Sequence, residues 1–299
     1  MEQVLTTPAQ KPTDFKSVIR DYFDLSKPGI GFYSVITTFA AFWLATSGPV
    51  DYVLLLHTLL ATGLVTAGGG ALNQVMEIRE DSEMRRTEKR PLPAGRVSAN
   101  SALAFGVATS ILGTLYLLLA VNALSALLAI GTLAGYLFIY TPSKKLTSLS
   151  TIIGAFPGAI PILIGWVAVT GSIDLRGWTL FVILFLWQIP HFLAIAWMYR
   201  KDYARAGFPM LTVIEPEGLS AAHQSVIYLV VLVPISLYPT ILHLTGSIYF
   251  IGALVLGLGF LASGVMVAIK RTNTAARQML FASIIYLPVL IVLMIIDKV

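Results

Sequence analysis

The chain has 299 residues, with 57% hydrophobic and 12% charged positions, no cysteine, a formal charge of +5 and a mean hydropathy of +0.81. Ordinary soluble domains are about half apolar and a quarter charged, so this composition argues against a soluble enzyme and excludes a disordered chain. Without cysteine there are no disulfides, thiolate metal sites or cysteine nucleophiles, and the positive charge points to loops facing anionic lipid, not to nucleic acid.

The first stretch, residues 1–28, has no apolar core and carries Asp14, Asp21 and Asp24, so it is neither a signal nor a transit peptide. It reads as a cytoplasmic tail ahead of a membrane-embedded domain over 29–299. Nine apolar runs follow, at 29–47, 52–76, 100–120, 123–140, 150–170, 178–199, 223–243, 247–269 and 278–297. Each is near the roughly 20 residues that a helix needs to cross a bilayer. Helices are expected because a bilayer offers backbone groups no other partner, and the short alternating segments of a membrane barrel are missing. The fold class is therefore an all-α integral membrane bundle of nine transmembrane helices.

Of the 20 lysines and arginines, all but Arg176 and Lys298 fall on one side of these spans. That side, with the N-terminus, is cytoplasmic by the positive-inside rule, and the C-terminus lies on the outer side. A plasma (inner) membrane is the simplest location. The two longest polar stretches, Glu77–Asn100 and Arg200–Ala222, are both cytoplasmic and four spans apart, a hydropathy hint of a repeated four-helix unit. Gly154 and Gly158 are spaced for close helix packing, and Pro157, Pro161 and Pro190 interrupt helical hydrogen bonding in spans five and six.

Span two runs out through Asn73, Glu77 and Asp81, spaced i, i+4 and i+8. On a continuous helix these drift by only about 80° over about 12 Å, so they share one face, with Asn73 deepest. Glu80 lies on that face too. Mg²⁺ takes oxygen ligands and is usually bound through one or two carboxylates plus substrate phosphates. The basic run Arg85-Arg86-Thr87-Glu88-Lys89-Arg90 follows at once. Carboxylates beside guanidiniums suit a metal-bridged diphosphate, because arginine matches phosphate oxygens with two parallel bonds. The bland alternative is a solvated helix end obeying the charge rule.

Span six carries Trp187-Gln188-Ile-Pro190-His191 and then Lys201-Asp202-Tyr203. On one helix His191 and Asp202 lie within about 20° of each other and about 16 Å apart, which puts His191 near the depth of Asn73. An ionisable residue inside a span is either functional or a core histidine satisfied by a neighbouring helix. His57 and His243, near the outer half and without polar neighbours, read as structural.

Together these stretches resemble the UbiA-type membrane prenyltransferases. Asn73-x3-Glu77-x3-Asp81-x2-Met84-x-Arg86-Thr87-x2-Arg90-Pro91-Leu92 is similar to the family's first aspartate-rich motif. Tyr140-Thr141-Pro142-x-Lys144, Gly154-Ala-x-Pro157-Gly158-Ala159-x-Pro161 and Trp187-Gln188-x-Pro190-His191-Phe192 resemble the branch that farnesylates protohaem IX. Glu77 stands where relatives often carry aspartate, and His191 where quinone-branch relatives carry aspartate. The resemblance implies a UbiA-type bundle with a central cavity opening to the lipid and the cytoplasmic side. It implies transfer of a farnesyl group from farnesyl diphosphate to haem B, with water, giving haem O. It also implies Mg²⁺ held by Asn73, Glu77, Asp81 and Asp202, with catalytic roles for these and His191. Arg86, Arg90, Lys144, Lys201, Tyr140, Trp187 and Gln188 are the implied substrate-binding residues. Partners implied are farnesyl diphosphate, protohaem IX, the lipid bilayer and a haem A synthase or terminal oxidase, with no nucleic acid. The competing readings are a prenyltransferase of a quinone precursor and a secondary transporter with acidic sites at the cytoplasmic mouth.

Overall fold

The computed structural model describes residues 14–299. The part of the expected tail at residues 1–13, with Lys11, lies outside the described residues. Within that tail a helix, α1 (Phe15–Leu25), packs Leu25 against the bundle while Phe15, Ile19 and Phe23 stay exposed on one stripe. Arg96 Nε meets Asp21 Oδ1 at 2.8 Å, and Gln74 Nε2 donates to the Asp24 and Leu25 carbonyls, so α1 is fastened to the bundle. Such an arrangement, with an apolar stripe beside Lys16 and Arg20, suits a helix lying in the membrane interface.

The remaining helices follow in order: α2 (Pro28–Ala45), α3 (Tyr52–Met76), α4 (Ile78–Glu83), α5 (Ala99–Ala120), α6 (Ala123–Ala134) and, after a π-helical turn at Gly135–Tyr140, α7 (Thr141–Leu146). Then come α8 (Ser150–Thr170), α9 (Leu175–Met198), α10 (Arg200–Arg205), α11 (Leu211–Ile214), α12 (Leu219–Ile235), α13 (Tyr238–Ile241), α14 (Ser247–Lys270) and α15 (Asn273–Ile296). Among the described residues nine helices are long and apolar enough to cross a bilayer, matching the nine apolar runs. α9 and α15 start before their apolar runs, at polar caps: Thr272 accepts the Ala275 N–H and Asp174 the Gly177 N–H, each meeting a donor that the first helical turn leaves free, as Asp51 does for Val53 and Leu54 at the start of α3.

Burial shows which helices are central. In α8 and α9, 67% and 72% of the spanning window is buried, against 22–44% for the other seven, whose outer faces meet lipid. α8 packs on α2, α6 and α9, and α9 packs on α12 and α15, so this pair joins the two halves of the bundle. The half-and-half organisation is also visible locally. α3 stops at Glu77 (φ −114°, ψ 20°) and continues as the six-residue α4, while α9 stops at Tyr199 (φ −106°, ψ 19°) and continues as the six-residue α10. The same break after corresponding spans is what a repeated unit would give.

Both breaks correct the expectation of continuous helices through Asp81 and Asp202. At Glu77 the i→i+4 bonds survive on either side, with Glu77 N donating to Asn73 O at 3.1 Å and Asp81 N to Glu77 O at 2.8 Å. The three residues therefore stay close despite the bend.

Candidate functional site

A cavity of about 450 Å³ opens between α2, α3, α8, α9 and the π-helical turn. Its wall is mostly apolar, with polar groups concentrated at one end. That end is built from the residues after α3. Arg90 Nη1 forks onto both oxygens of the buried Asp81 carboxylate, at 2.9 and 2.7 Å. Lys144 Nζ reaches both oxygens of buried Glu77, at 2.8 and 3.0 Å, while lying 4.6 Å over the Tyr140 ring. Asn73, fully buried, accepts a hydrogen bond from Lys27 through Oδ1 and donates through Nδ2 to Thr141 Oγ1 at 2.7 Å. Each oxygen donor of the first motif is thus held by its own cation. Glu80 is turned away to Lys145, at 2.6 Å. Arg86 stacks over Tyr199 and Tyr203 with its guanidinium otherwise exposed.

Local backbone explains how these groups meet. Lys27 has φ 51°, a left-handed conformation that turns the chain sharply between α1 and α2 and brings its side chain onto the wall. The turn lies against Gly70, where a Cβ would stand 2.9 Å from the Ser26 carbonyl oxygen, so only glycine admits it. π-Helical turns cluster at functional sites. Here one presents Tyr136 and Tyr140, stacked with centroids 5.5 Å apart, and Gly154 leaves the space that the Tyr140 ring fills.

Electrostatics follow from burial and from these pairings. Desolvation, with Arg90 adding to it, pushes the Lys27 ammonium down to about 7. Burial alone would raise the Glu77 carboxyl, but the charges of Lys144 and Lys27 outweigh it and hold it below the usual carboxylate range. An arriving diphosphate would thus find cations whose present partners are carboxylates. The oxygen donors these release are the hard ligands that Mg²⁺ prefers, so the residue set fits that ion. Among the described residues no three histidine or acidic side chains are gathered to hold a metal by themselves.

The second motif contributes the far wall. Trp187 and His191 stack with centroids 4.8 Å apart, Trp187 Nε1 donates to the Ser283 carbonyl at 2.8 Å, and His191 Nδ1 meets Ser283 Oγ at 2.8 Å. Gln188 donates to the Ala155 and Leu184 carbonyls across α8 and α9. Lys201 and Asp202 are not on the cavity wall. After the break at Tyr199 it is Tyr203 that lines the cavity, Lys201 is exposed, and Asp202 pairs with Arg205 one turn along. His57, on α3, bonds the Tyr116 hydroxyl at 2.7 Å.

Of the sequence-derived candidates, Glu77, Asp81, Arg86, Arg90, Tyr140, Lys144, Trp187, Gln188 and His191 line one cavity, and Asn73 sits directly behind Lys27. Sequence reasoning missed Lys27, Tyr136, Tyr203 and Ser283. Tyr136 lies four residues before Tyr140, a spacing that was readable. Nothing in the spacing links Lys27 to Asn73 or Ser283 to His191.

Comparison with known proteins agrees with this geometry. The UbiA prenyltransferase family matches residues 34–285. A protohaem IX farnesyltransferase from Solibacter usitatus is 49% identical over 290 residues, covering 94% of this chain and 99% of that protein. The corresponding enzyme from Salinibacter ruber is 43% identical, covering 93% and 98%. A solved digeranylgeranylglyceryl phosphate synthase aligns with a TM-score of 0.79 at 18% identity, covering 94% of this chain and 98% of that one. A UbiA homologue from Archaeoglobus fulgidus, bound to GPP and Mg²⁺, aligns with a TM-score of 0.66 at 15% identity, covering 92% and 99%.

Proposed function

The chain belongs to the UbiA prenyltransferase family, and on that premise we propose that it transfers the farnesyl group of farnesyl diphosphate to a vinyl group of protohaem IX, with addition of water, giving haem O and diphosphate. The observation that carries the reading is one cavity shared by the two motifs. Carboxylates paired with cations stand at its polar end, and the Trp187-Gln188-x-Pro190-His191 block forms its apolar wall. A quinone-precursor prenyltransferase would account for the polar end, but not for eight relatives of 38–49% identity that are protohaem IX farnesyltransferases. A transporter would place its site near the bilayer midplane, whereas these carboxylates follow the end of a span.

Asn73, Glu77 and Asp81 would hold Mg²⁺, and Asp202 would join them only by leaving Arg205. When bound, the ion supplies charge stabilisation for the departing diphosphate. Arg90, Lys144 and Lys27 turn from their carboxylate and amide partners to phosphate oxygens, with Arg86 closing from the exposed side. Lys201 lies on the same cytoplasmic surface and contributes there to the positive field. The apolar wall keeps water from an allylic cation, and the faces of Tyr136, Tyr140 and Trp187 are the groups able to stabilise it. His191, on the same wall, would face the reacting side chain of the porphyrin.

The protein is a multi-pass membrane protein. We place it in the plasma (inner) membrane, with the N-terminus and the polar end of the cavity cytoplasmic and the C-terminus outside, on the lysine and arginine asymmetry. Residues 29–299 form the catalytic membrane domain. Its product would pass to a haem A synthase or a terminal oxidase.

The test is mass spectrometry of haem extracted after purified protein is incubated with haem B, farnesyl diphosphate and Mg²⁺. The expected product is heavier than haem B by one farnesyl group plus water and disappears with EDTA. Unchanged haem from a folded preparation, with diphosphate released on a quinone precursor instead, would overturn the acceptor.

A further inference from the structure

We infer that His191 is the base that takes a proton from the adding water, through Nε2, and that Ser283 is the positioning residue that holds it in the tautomer able to do so. This rests on the haem O-forming reading above.

Ser283 lies on α15, opposite α9, and is fully buried. Its hydroxyl has one proton, and the shorter of its two contacts, 2.6 Å to the Leu280 carbonyl, can only be made by donating that proton. Toward His191 Nδ1, at 2.8 Å, the same oxygen offers only a lone pair. With the hydroxyl proton on the Leu280 carbonyl, the inferred donor between the two is His191, with its proton on Nδ1. A neutral imidazole carries a single N–H, so Nε2 is left with its lone pair. Among the described residues Nε2 has no hydrogen-bond partner, and His191 lines the cavity.

The ring is fixed as well as oriented. Trp187 stacks on it at an interplanar angle of 22°, and Trp187 itself is tied by Nε1 to the Ser283 backbone carbonyl. One residue of α15 thus sets both rings, with its hydroxyl on the histidine and its carbonyl on the tryptophan. Phe192 meets the imidazole edge-on at 5.3 Å. The Trp187 face suits the transient imidazolium, because an indole face attracts a cation and more so when water is excluded. Among the described residues no carboxylate is paired with His191, so its lone pair is not committed to an ion pair there.

The C1–O bond of farnesyl diphosphate breaks and its electron pair leaves on diphosphate. The vinyl π pair forms the new C–C bond to C1, leaving a cation on the vinyl carbon next to the porphyrin. Water closes that cation by forming a C–O bond, and a proton of the resulting oxonium passes to His191 Nε2. The proton leaves with diphosphate or solvent when products depart. If this base is missing, the cation is quenched by losing a carbon-bound proton to the released diphosphate instead, and the product lacks the water.

The experiment compares wild type, His191→Ala, Ser283→Ala and Ser283→Thr by haem mass spectrometry and by ¹⁵N NMR of histidine-labelled protein, with the His191 signal assigned by its loss in His191→Ala. In wild type, His191 is expected as the Nδ1–H tautomer. Ser283→Ala leaves the backbone carbonyl for Trp187, and should mix the tautomers and lower kcat about tenfold, a fraction of the 10²–10⁴ that a full general base supplies. Its KM for farnesyl diphosphate should stay within about twofold, and threonine, which keeps the hydroxyl, should restore kcat. In His191→Ala the residual farnesylated haem should be one water lighter than haem O. If that variant turns over too slowly to read, Ser283→Ala, which keeps the ring, reads the same partition and should shift part of its product to the dehydrated form. An Nε2–H tautomer in wild type overturns the inference, as does residual product with its full complement of water. Wild-type production of haem O tests the underlying reading separately, so the two can fail independently.

Discussion

Lys144→Met, measured beside Glu77→Gln and the double variant, tests whether the polar end is held by mutually dependent ion pairs. Lys144 keeps 16% of its side-chain surface exposed and Glu77 4%, with both carboxylate oxygens within 3.0 Å of Nζ. Removing one partner of such a buried pair costs about 3–5 kcal/mol, because the other charge stays desolvated and alone. The exposure of Lys144 puts the methionine variant near the lower end, about 3 kcal/mol. Glu77→Gln leaves an ammonium that still rests on the Tyr140 face, so about 2 kcal/mol is expected. The double variant leaves no stranded charge, and its loss should also be about 2 kcal/mol, not the sum of about 5. The implied coupling, about 3 kcal/mol, is at the upper end for residues in direct contact. For a chain of this size about 2–4 °C of Tm accompanies each kcal/mol. Lys144→Met should therefore melt about 6–12 °C lower, and the double variant about 4–8 °C lower, by intrinsic fluorescence in one detergent at one scan rate. A double variant that melts as far down as the two single losses added together would refute the reasoning.

Arg90→Lys keeps a charge that one nitrogen can bring to Asp81, as Arg90 Nη1 does now, but removes the planar guanidinium that matches phosphate oxygens in a fork, and should lower kcat/KM for farnesyl diphosphate about 10- to 100-fold. A wild-type value would show that the fork is not used. Free Lys27 titrates at about 7, so at pH 8 it is mostly neutral, and a bound diphosphate favours its charged form. Diphosphate binding at pH 8 should take up a fraction of a proton, seen by calorimetry in buffers of different ionisation enthalpy and absent in Lys27→Met. Equal uptake by the two proteins would exclude this lysine. Gly70→Ala sets a Cβ 2.9 Å from the Ser26 carbonyl oxygen and 3.4 Å from Lys27 Cβ. It should cost about 1–3 kcal/mol and raise the KM for farnesyl diphosphate, and unchanged stability and KM would show that the link between α1 and α2 yields freely.

The sequence alone determined the membrane bundle and most of the cavity wall. Nine apolar runs can satisfy their backbones in a bilayer only as helices, and the spacing of Asn73, Glu77 and Asp81 survives the bend at Glu77 because hydrogen bonds of i→i+4 type persist on both sides of it. The Trp187 to His191 block was legible for the same local reason, since four residues make about one helical turn. Tertiary structure decided the rest. Asp202 was expected on the continuation of one helix with His191, but the break at Tyr199 gives its wall position to Tyr203 and leaves Asp202 to Arg205. Lys27 meets Asn73 across 46 positions, and Ser283 meets His191 across 92. Periodicity carries information only along a single helix. Which helices face each other, and so which donor finds which acceptor, is fixed by packing around the buried pair α8 and α9.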